Sequence, residues 1–415
     1  MKKIKIEGNH LLEGTINISG AKNSAVALIP ASILSDEEVQ IDNIPNISDI
    51  EALNEILTYL GATVVHKQGT MIINPTKIVN KEIPESISTK LRASYYFMAA
   101  LLGKYKKVEM YFPGGCKIGS RPIDQTLKAF ELLGAKIKEE NNKYTIVANR
   151  LIGTNIYLDM PSVGATINTI LASVKAEGKT IIENAAKEPE IVSVATFLNN
   201  MGAKITGAGT SKIKIEGVKK LKDISYNIMP DRIETGTFLC AAAMSQGNII
   251  IENTNINHIT PIISKLEEAN CKLKLEKDKI ELKAPKKLKA LEIRTMPYPG
   301  FPTDMQSIFV SMLTIAKGTS IIVENIFESR YKFTQELIRM GAKITIEGKS
   351  AIVKGTRKLY GANVNATDLR GGAALVLAGI VAKGETTIEN IEYILRGYEN
   401  LNKKLENLGV NIKMV

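Results

Sequence analysis

Asn200-Met-Gly-Ala-Lys204 joins two hydrophobic patterns: before it apolar residues recur every three or four positions, and after it they alternate. The passage returns as Tyr59-Leu-Gly-Ala-Thr63, Leu132-Leu-Gly-Ala-Lys136, Glu268-Ala-Asn-Cys-Lys272, Arg339-Met-Gly-Ala-Lys343 and Asn407-Leu-Gly-Val-Asn411. Its central residue falls at 61, 134, 202, 270, 341 and 409, a spacing of 68 to 73, so the chain contains six units of about 70 residues. Gly or Asn is what a helix end in the left-handed conformation requires, so each passage closes a helix and opens a strand.

A further strand precedes each helix, clearest in Lys179-Thr-Ile-Ile-Glu-Asn184, Asn248-Ile-Ile-Ile-Glu-Asn253 and Glu385-Thr-Thr-Ile-Glu-Asn390. The unit reads as βαβαββ, and the fold class as α/β. The last unit stops one strand short at Val415, and the amino terminus supplies a candidate: Lys3-Ile-Lys-Ile-Glu-Gly8 is identical to Lys212-Ile-Lys-Ile-Glu-Gly217, three units away. Two lobes of three units are expected, one over 22–229 and one over 230–415 completed by 1–21, with the active site in the cleft between them and linkers near Gly20 and Pro230. One copy departs from the pattern. From the end of the upstream strand to the turn glycine the second unit is about four residues longer than the others, and the excess falls in Phe112-Pro-Gly-Gly-Cys-Lys-Ile-Gly-Ser-Arg-Pro122. An insertion in one repeat maps to a loop and often to function.

Composition narrows the class. The chain has 415 residues, 44% hydrophobic and 23% charged, with 54 Lys+Arg against 43 Asp+Glu for a net charge of +11. That is an ordinary globular make-up with an aliphatic core. Aromatics are 5% and Trp is absent, so base-stacking platforms for single-stranded nucleic acid are sparse, and net charge alone warrants only nonspecific attraction. Three cysteines, Cys116, Cys240 and Cys271, make no disulfide framework and no metal-ligand spacing, which points to a cytosolic protein; no metal or cofactor is expected. The first residues lack an apolar signal region, and the longest apolar run, Ala373 to Ala382, is too short for a membrane span.

The residues that could carry chemistry lie at repeated positions. Cys116 stands among Pro113, Gly114, Gly115 and Gly119 with Lys117 and Arg121 near enough to lower a thiol pKa, so it can serve as acid or nucleophile. Cys240 and Cys271 read as small buried hydrophobes. Six helices start with polar residues, at Ala21-Lys-Asn-Ser, Leu91-Arg-Ala-Ser, Pro161-Ser-Val-Gly-Ala-Thr, Pro230-Asp-Arg-Ile-Glu-Thr, Pro302-Thr-Asp-Met-Gln and Thr367-Asp-Leu-Arg-Gly-Gly. Ser, Thr, Asp and Asn there serve as caps. Lys22, Arg92, Arg232 and Arg370 oppose the helix dipole, which predicts a phosphate or carboxylate ligand among them. Asp304 enters a helix from Pro299-Gly-Phe-Pro-Thr303 and is equally a cap or a general base. Arg330 and Arg396 follow the upstream strands of units five and six. Glu188 and Glu190 hold the matching place in unit three, where surface charge explains them as well as function does.

Taken together and in order, Ser19-Gly-Ala-Lys-Asn-Ser24, Leu91-Arg-Ala-Ser94, Pro113 to Pro122, Ser162-Val-Gly-Ala-Thr166, Glu183-Asn-Ala-Ala-Lys-Glu-Pro-Glu-Ile191, Pro230 to Phe238, Pro299 to Gln306 and Asp368-Leu-Arg-Gly371 resemble the UDP-N-acetylglucosamine 1-carboxyvinyltransferase family. The resemblance runs end to end. It implies an inside-out α/β barrel of two three-unit lobes, with phosphoenolpyruvate and UDP-N-acetylglucosamine as substrates, enolpyruvyl transfer by addition and elimination, and no obligate protein partner. It also implies that Lys22, Arg121 and Arg396 hold the phosphate and carboxylate of the donor, with Arg330 and Arg370 nearby. Cys116 would deliver a proton to the methylene carbon or form an adduct, and Asp304 would take the 3-hydroxyl proton beside Asn23. Arg92, Arg121, Pro122, Ile123, Asp124, Gln125, Ser162, Val163, Gly164 and the backbone at Ile326 would hold the nucleotide sugar. Departures from the family pattern are Ser48, Tyr96 and Gly371-Gly372, which touch fine contacts only.

Three other readings compete. A related transferase acting on shikimate 3-phosphate shares the donor but needs neither the Cys116 loop nor the stretch from Arg121 to Gln125. A nucleic-acid-binding module, suggested by the net charge of +11, would need a basic stripe interleaved with aromatics, which is not visible, and a structural repeat scaffold would not need cations at its six helix starts.

Overall fold

A computed structural model describes residues 2–114 and 123–415. Six turns that the sequence marks for left-handed backbone adopt it: φ is +101° at Gly61 and Gly134, +105° at Gly202, +73° at Asn270, +93° at Gly341 and +92° at Gly409. A side chain with a Cβ pays for that conformation, which is why glycine recurs and why asparagine is the tolerated substitute.

The described residues divide into two compact units, and the division in the chain falls between Ser19 and Gly20 and between Met229 and Pro230. Each unit has its own hydrophobic core.

In the unit from Gly20 to Met229, three sheets repeat one connection. In the sheet of Asn155–Tyr157, Lys179–Glu183, Lys204–Thr206 and Lys212–Glu216, the first two strands are parallel, and the last strand pairs antiparallel with both its neighbours. A parallel pair needs a crossover, and the Val163–Ser173 helix provides it. Ile224–Asn227, Val39–Asp42, Thr70–Asn74 and Thr63–Lys67 form the equivalent sheet, although the first of them comes from the far end of the unit's sequence. The third sheet, Lys107–Tyr111, Lys143–Val147 and Lys136–Glu140, keeps only a bridge from Ile83 where its fourth strand would lie. Its hairpin turns at Asn141-Asn142 with φ of +50° and +60°, as a two-residue hairpin matching strand twist requires.

The other unit repeats the plan. Glu13–Asn17 runs parallel to Asn248–Glu252 in one sheet, and Glu292–Arg294 runs parallel to Thr319–Val323 in a second. In the third, Ile4–Glu7 lies between Glu385–Glu389 and Ile412–Met414 and pairs antiparallel with both. The βαβαββ unit expected from the sequence is therefore observed.

Strands such as Lys212–Glu216 bury alternate residues, while the first helix of each repeat is buried on nearly every side. In one unit the helices Arg232–Ser245, Gln306–Leu313 and Leu369–Val381 pack on one another, and the sheets cover them. A helix apolar all round belongs in the interior, and a sheet with one apolar face belongs over it. The amino-terminal ends of these central helices are where the sequence placed its cations.

Candidate active site

Three of the six helix starts use the expected side-chain caps. Ser162 accepts from the Ala165 N–H, Asp231 from Ile233 and Glu234, and Asp368 from Arg370 and Gly371. Asp304 does not cap its helix. It opens a short 3-10 turn, Thr303–Met305, and its carboxylate accepts from two arginines, Arg330 Nη2 at 2.7 Å and Arg370 Nη2 at 3.2 Å. Both arginine side chains are only 4% exposed, whereas the aspartate side chain is 27% exposed. The two readings left open by the sequence thus part company, since the cap is excluded and a charged cluster takes its place.

Burial pushes the Asp304 carboxyl upward, but Arg370, Arg330 and then Arg232 outweigh it and hold the group well below the usual carboxylate range. Arg370 lies beside the Tyr398 ring, 5.3 Å from its centroid, and Tyr398 shares a 2.8 Å hydrogen bond with Thr237. Arg232 lies over the Tyr298 ring. The Nε atoms of Arg330 and Arg370 are buried without a hydrogen-bond partner among the described residues. Three guanidiniums against Asp304 and the cap Asp231 leave this cluster cationic, which is what binding an anion needs.

In the other unit the start of the Lys22–Ala31 helix is flanked by the first turns of two more helices. Lys22 pairs with Asp49 at 2.7 Å, both largely buried, on the Ser48–Leu60 helix. Asn23 donates from Nδ2 to Glu190 at 3.3 Å, in the first turn of the Pro189–Asn200 helix. Acidic groups favour the positive ends of their own helices, so these two carboxylates are stable there and also hold the adjacent Lys22 and Asn23. Glu190 is buried, so of the two readings left open for it the surface charge falls away. Of the helix-start cations, Lys22 and Arg370 each have a carboxylate partner within the chain, Asp49 and Asp304.

Arg92 begins a 3-10 turn, Arg92–Tyr95, with its guanidinium near two rings, 5.6 Å from the Tyr95 centroid and 5.2 Å from that of Phe112. Gly164, in the first turn of its helix, lies under Tyr95: a Cβ built there would fall 1.6 Å from the tyrosine hydroxyl. Ser162, Val163 and Gly164 are partly buried, and Gln125 Oε1 accepts from the Met160 N–H. Ile123 is buried and Asp124 exposed at the start of the Asp124–Leu132 helix. Ile326 is exposed, and Arg396 is partly buried at the end of the Glu392–Leu395 helix. Cys116, Arg121 and Pro122 lie outside the described residues. Cys240 and Cys271 are buried, as read, and burial raises both thiols, Cys271 to about 12. No group of His, Cys, Asp and Glu among the described residues could hold a metal ion, and no helix among them is long and apolar enough to cross a membrane.

Asp49, Thr303, Glu324 and Tyr398 were not singled out from the sequence. Ser48-Asp49 at a helix start has the form of a cap, and Glu324 stands where other units carry a glutamate ending a surface strand, so neither advertises a buried role.

The family model described as EPSP synthase (3-phosphoshikimate 1-carboxyvinyltransferase) matches residues 6–405. UDP-N-acetylglucosamine 1-carboxyvinyltransferase 2 of Bacillus subtilis (strain 168) is 50% identical over 413 residues, covering 99% of this chain and 96% of the relative. The protein of the same name from Listeria monocytogenes serotype 4b (strain F2365) is 50% identical over 410 residues, 99% of this chain and 97% of its own. Among solved structures, the enolpyruvyl transferase NikO from Streptomyces tendae aligns with a TM-score of 0.90 at 24% identity, covering 100% of this chain and 99% of that one. An EPSP synthase from Acinetobacter baumannii aligns at 0.78 and 19%, covering 100% of both.

Proposed function

Because the chain belongs to the EPSP synthase family of carboxyvinyltransferases, we propose that it transfers the enolpyruvyl group of phosphoenolpyruvate to the 3-hydroxyl of UDP-N-acetylglucosamine, releasing phosphate, in the first committed step of peptidoglycan synthesis. The observation that carries the choice of acceptor is the 50% identity over 99% of the chain to the Bacillus subtilis enzyme. Fold likeness alone is shared with proteins that use another acceptor.

The chemistry is an addition followed by an elimination. The acceptor oxygen bonds to C2 of the donor while a proton reaches the C3 methylene, giving a tetrahedral phosphate ketal. The C2–O bond to phosphate then breaks and C3 loses a proton, leaving an enol ether and inorganic phosphate. Protonating C3 places positive charge on C2, so the donor's anionic groups must stay clamped as it forms, and arginine forks are suited to that.

Lys22, Arg121 and Arg396 would hold the donor's phosphate and carboxylate, with Arg330 and Arg370 adding their charge. Asp304 would accept the 3-hydroxyl proton. With Arg330 and Arg370 on its carboxylate it is a weak base. A donor anion drawn to the same guanidiniums competes for their charge and adds like charge, and both effects raise the Asp304 pKa. The base would thus strengthen once the donor is bound. Cys116 would protonate C3. Asn23, its amide held by Glu190, would face the acceptor, and Arg92, Arg121, Pro122, Ile123, Asp124, Gln125, Ser162, Val163, Gly164 and the Ile326 backbone would hold the nucleotide sugar.

The test is phosphate release from phosphoenolpyruvate with UDP-N-acetylglucosamine or with shikimate 3-phosphate as acceptor. Release with the nucleotide sugar alone is expected. Release only with shikimate 3-phosphate would refute the proposed acceptor, and release with neither would refute the reaction.

A further inference from the structure

Glu324, at the end of the Thr319–Val323 strand, is 1% exposed. Its Oε1 accepts from Thr295 Oγ1 at 2.9 Å, the Ile326 N–H at 2.8 Å and the Phe327 N–H at 3.2 Å, and its Oε2 accepts from Thr303 Oγ1 at 2.9 Å. The carboxylate thus takes four hydrogen bonds, three of them on Oε1, and among the described residues all four donors are neutral. Burying a charge in this way is costly, and holding one turn of backbone would not require it.

Two of the four donors lead to the same guanidinium. The Thr303 hydroxyl, donating to Glu324, accepts from Arg330 Nη1 at 2.9 Å. Phe327, tied through its N–H, lays its ring beside Arg330, whose guanidinium carbon is 5.4 Å from the centroid. The other end of that fork, Nη2, is the one that meets Asp304 at 2.7 Å.

We infer that Glu324 is a positioning residue of the active site, aligning the Arg330 fork with Asp304 through the Thr303 hydroxyl and the Phe327 ring. It touches neither the reacting atoms nor Asp304. Its carboxylate fixes the direction of the Thr303 hydroxyl proton, which leaves an oxygen lone pair aimed at Arg330. Glutamine in its place keeps an oxygen for Thr295, Ile326 and Phe327 but turns an N–H donor toward Thr303, so Glu324→Gln reverses that one hydrogen bond and no longer fixes the Thr303 hydroxyl proton away from Arg330. Thr303→Val cuts the same link from the other side, and Thr303→Ser restores it.

The inference rests on the enolpyruvyl transfer reading, and two measurements keep the two apart. The first is phosphate release with saturating UDP-N-acetylglucosamine. Glu324→Gln and Thr303→Val should each lower kcat by on the order of 10- to 100-fold, the scale of a small misplacement in a site. Thr303→Ser should stay close to the parent, and the double variant should be no slower than the slower single, because both cut one path. The second is the side-chain NMR signal of the Arg330 guanidinium, which needs no turnover: it should shift in Glu324→Gln and Thr303→Val and not in Thr303→Ser. Parent-like kcat in Thr303→Val, losses that multiply in the double variant, or a lowered Tm with unchanged kcat and unchanged Arg330 signal would each overturn the positioning role. A parent enzyme that releases no phosphate would refute the reaction, and the NMR result would still decide the inference.

Discussion

Replacing Asp304 by Asn removes one charge and almost no volume from a carboxylate that two buried arginines share. The amide oxygen can still accept from Arg330, but as a neutral acceptor, which downgrades a charge-assisted bond by about 1 kcal/mol. The amide nitrogen then faces Arg370 Nη2, donor against donor, and the 3.2 Å bond is lost outright, a further 1.5 to 3 kcal/mol on the scale of about that size for charged groups. The aspartate side chain is 27% exposed, so water recovers part of this, and a net loss of about 2 kcal/mol is expected. For a unit of this size that corresponds to a fall in Tm of roughly 4 to 8 °C, measured by thermal denaturation at neutral pH. Inorganic phosphate should restore part of the difference in the variant, because it supplies the anion the arginines have lost. The sign with pH follows from the direction of the shift. A carboxyl held below its usual range contributes stability above the unfolded value of about 3.9 and loses it as pH falls through the folded value. The gap between parent and variant should therefore be level above about pH 5 and close only in stronger acid. A variant that melts with the parent at neutral pH, or higher, would refute the view that Asp304 neutralises these arginines.

Other outcomes follow from single contacts. Gly164→Ala should raise KM for the nucleotide sugar, because the new methyl group displaces the Tyr95 hydroxyl and with it the ring beside Arg92; adding Tyr95→Ala should relieve the clash, and kinetics on the pair would show whether the effects couple. Glu190→Ala should raise KM for UDP-N-acetylglucosamine more than KM for phosphoenolpyruvate, since it frees the Asn23 amide and leaves the Lys22–Asp49 pair intact. Alkylation of the folded chain at neutral pH should leave Cys240 and Cys271 unmodified, given their burial and raised thiol pKa, and peptide mapping should find any label at Cys116.

The repeat was legible in the sequence because backbone sterics act locally: six positions need a left-handed φ, and only Gly or Asn meets that need cheaply. Asparagines at strand ends show the same logic less openly. Asn43, Asn184 and Asn253 all adopt positive φ, and each donates its side-chain N–H to a carbonyl just past the neighbouring parallel strand, at Ile228, Leu158 and Ile18. The cations of the site were also legible, since Arg370 at the positive end of a helix demands a reason. Their partners were not. Asp49, Glu190 and Glu324 each satisfy a local rule as first-turn acids or as a strand-end glutamate, and nothing local distinguishes a carboxylate that faces water from one chosen by a residue far away in sequence. Asp304 illustrates the limit, because cap and cluster member have the same local signature and only the long-range approach of Arg330 and Arg370 separates them.

The strand Ile4–Glu7 lies between Glu385–Glu389 and Ile412–Met414, and Lys3 exchanges backbone hydrogen bonds with Val415. On the ribosome this strand waits for partners made some 380 residues later, which at about 5 to 20 residues per second is roughly 20 to 80 s. The unit from Gly20 to Met229 has all its sheets and its own core in hand long before then. Biosynthesis thus imposes an order of maturation: the unit carrying Lys22 and Arg92 can be finished early, while the unit carrying Asp304 joins segments of chain made far apart in time. A block on the amino-terminal strand during translation would spare the first unit and strand the second.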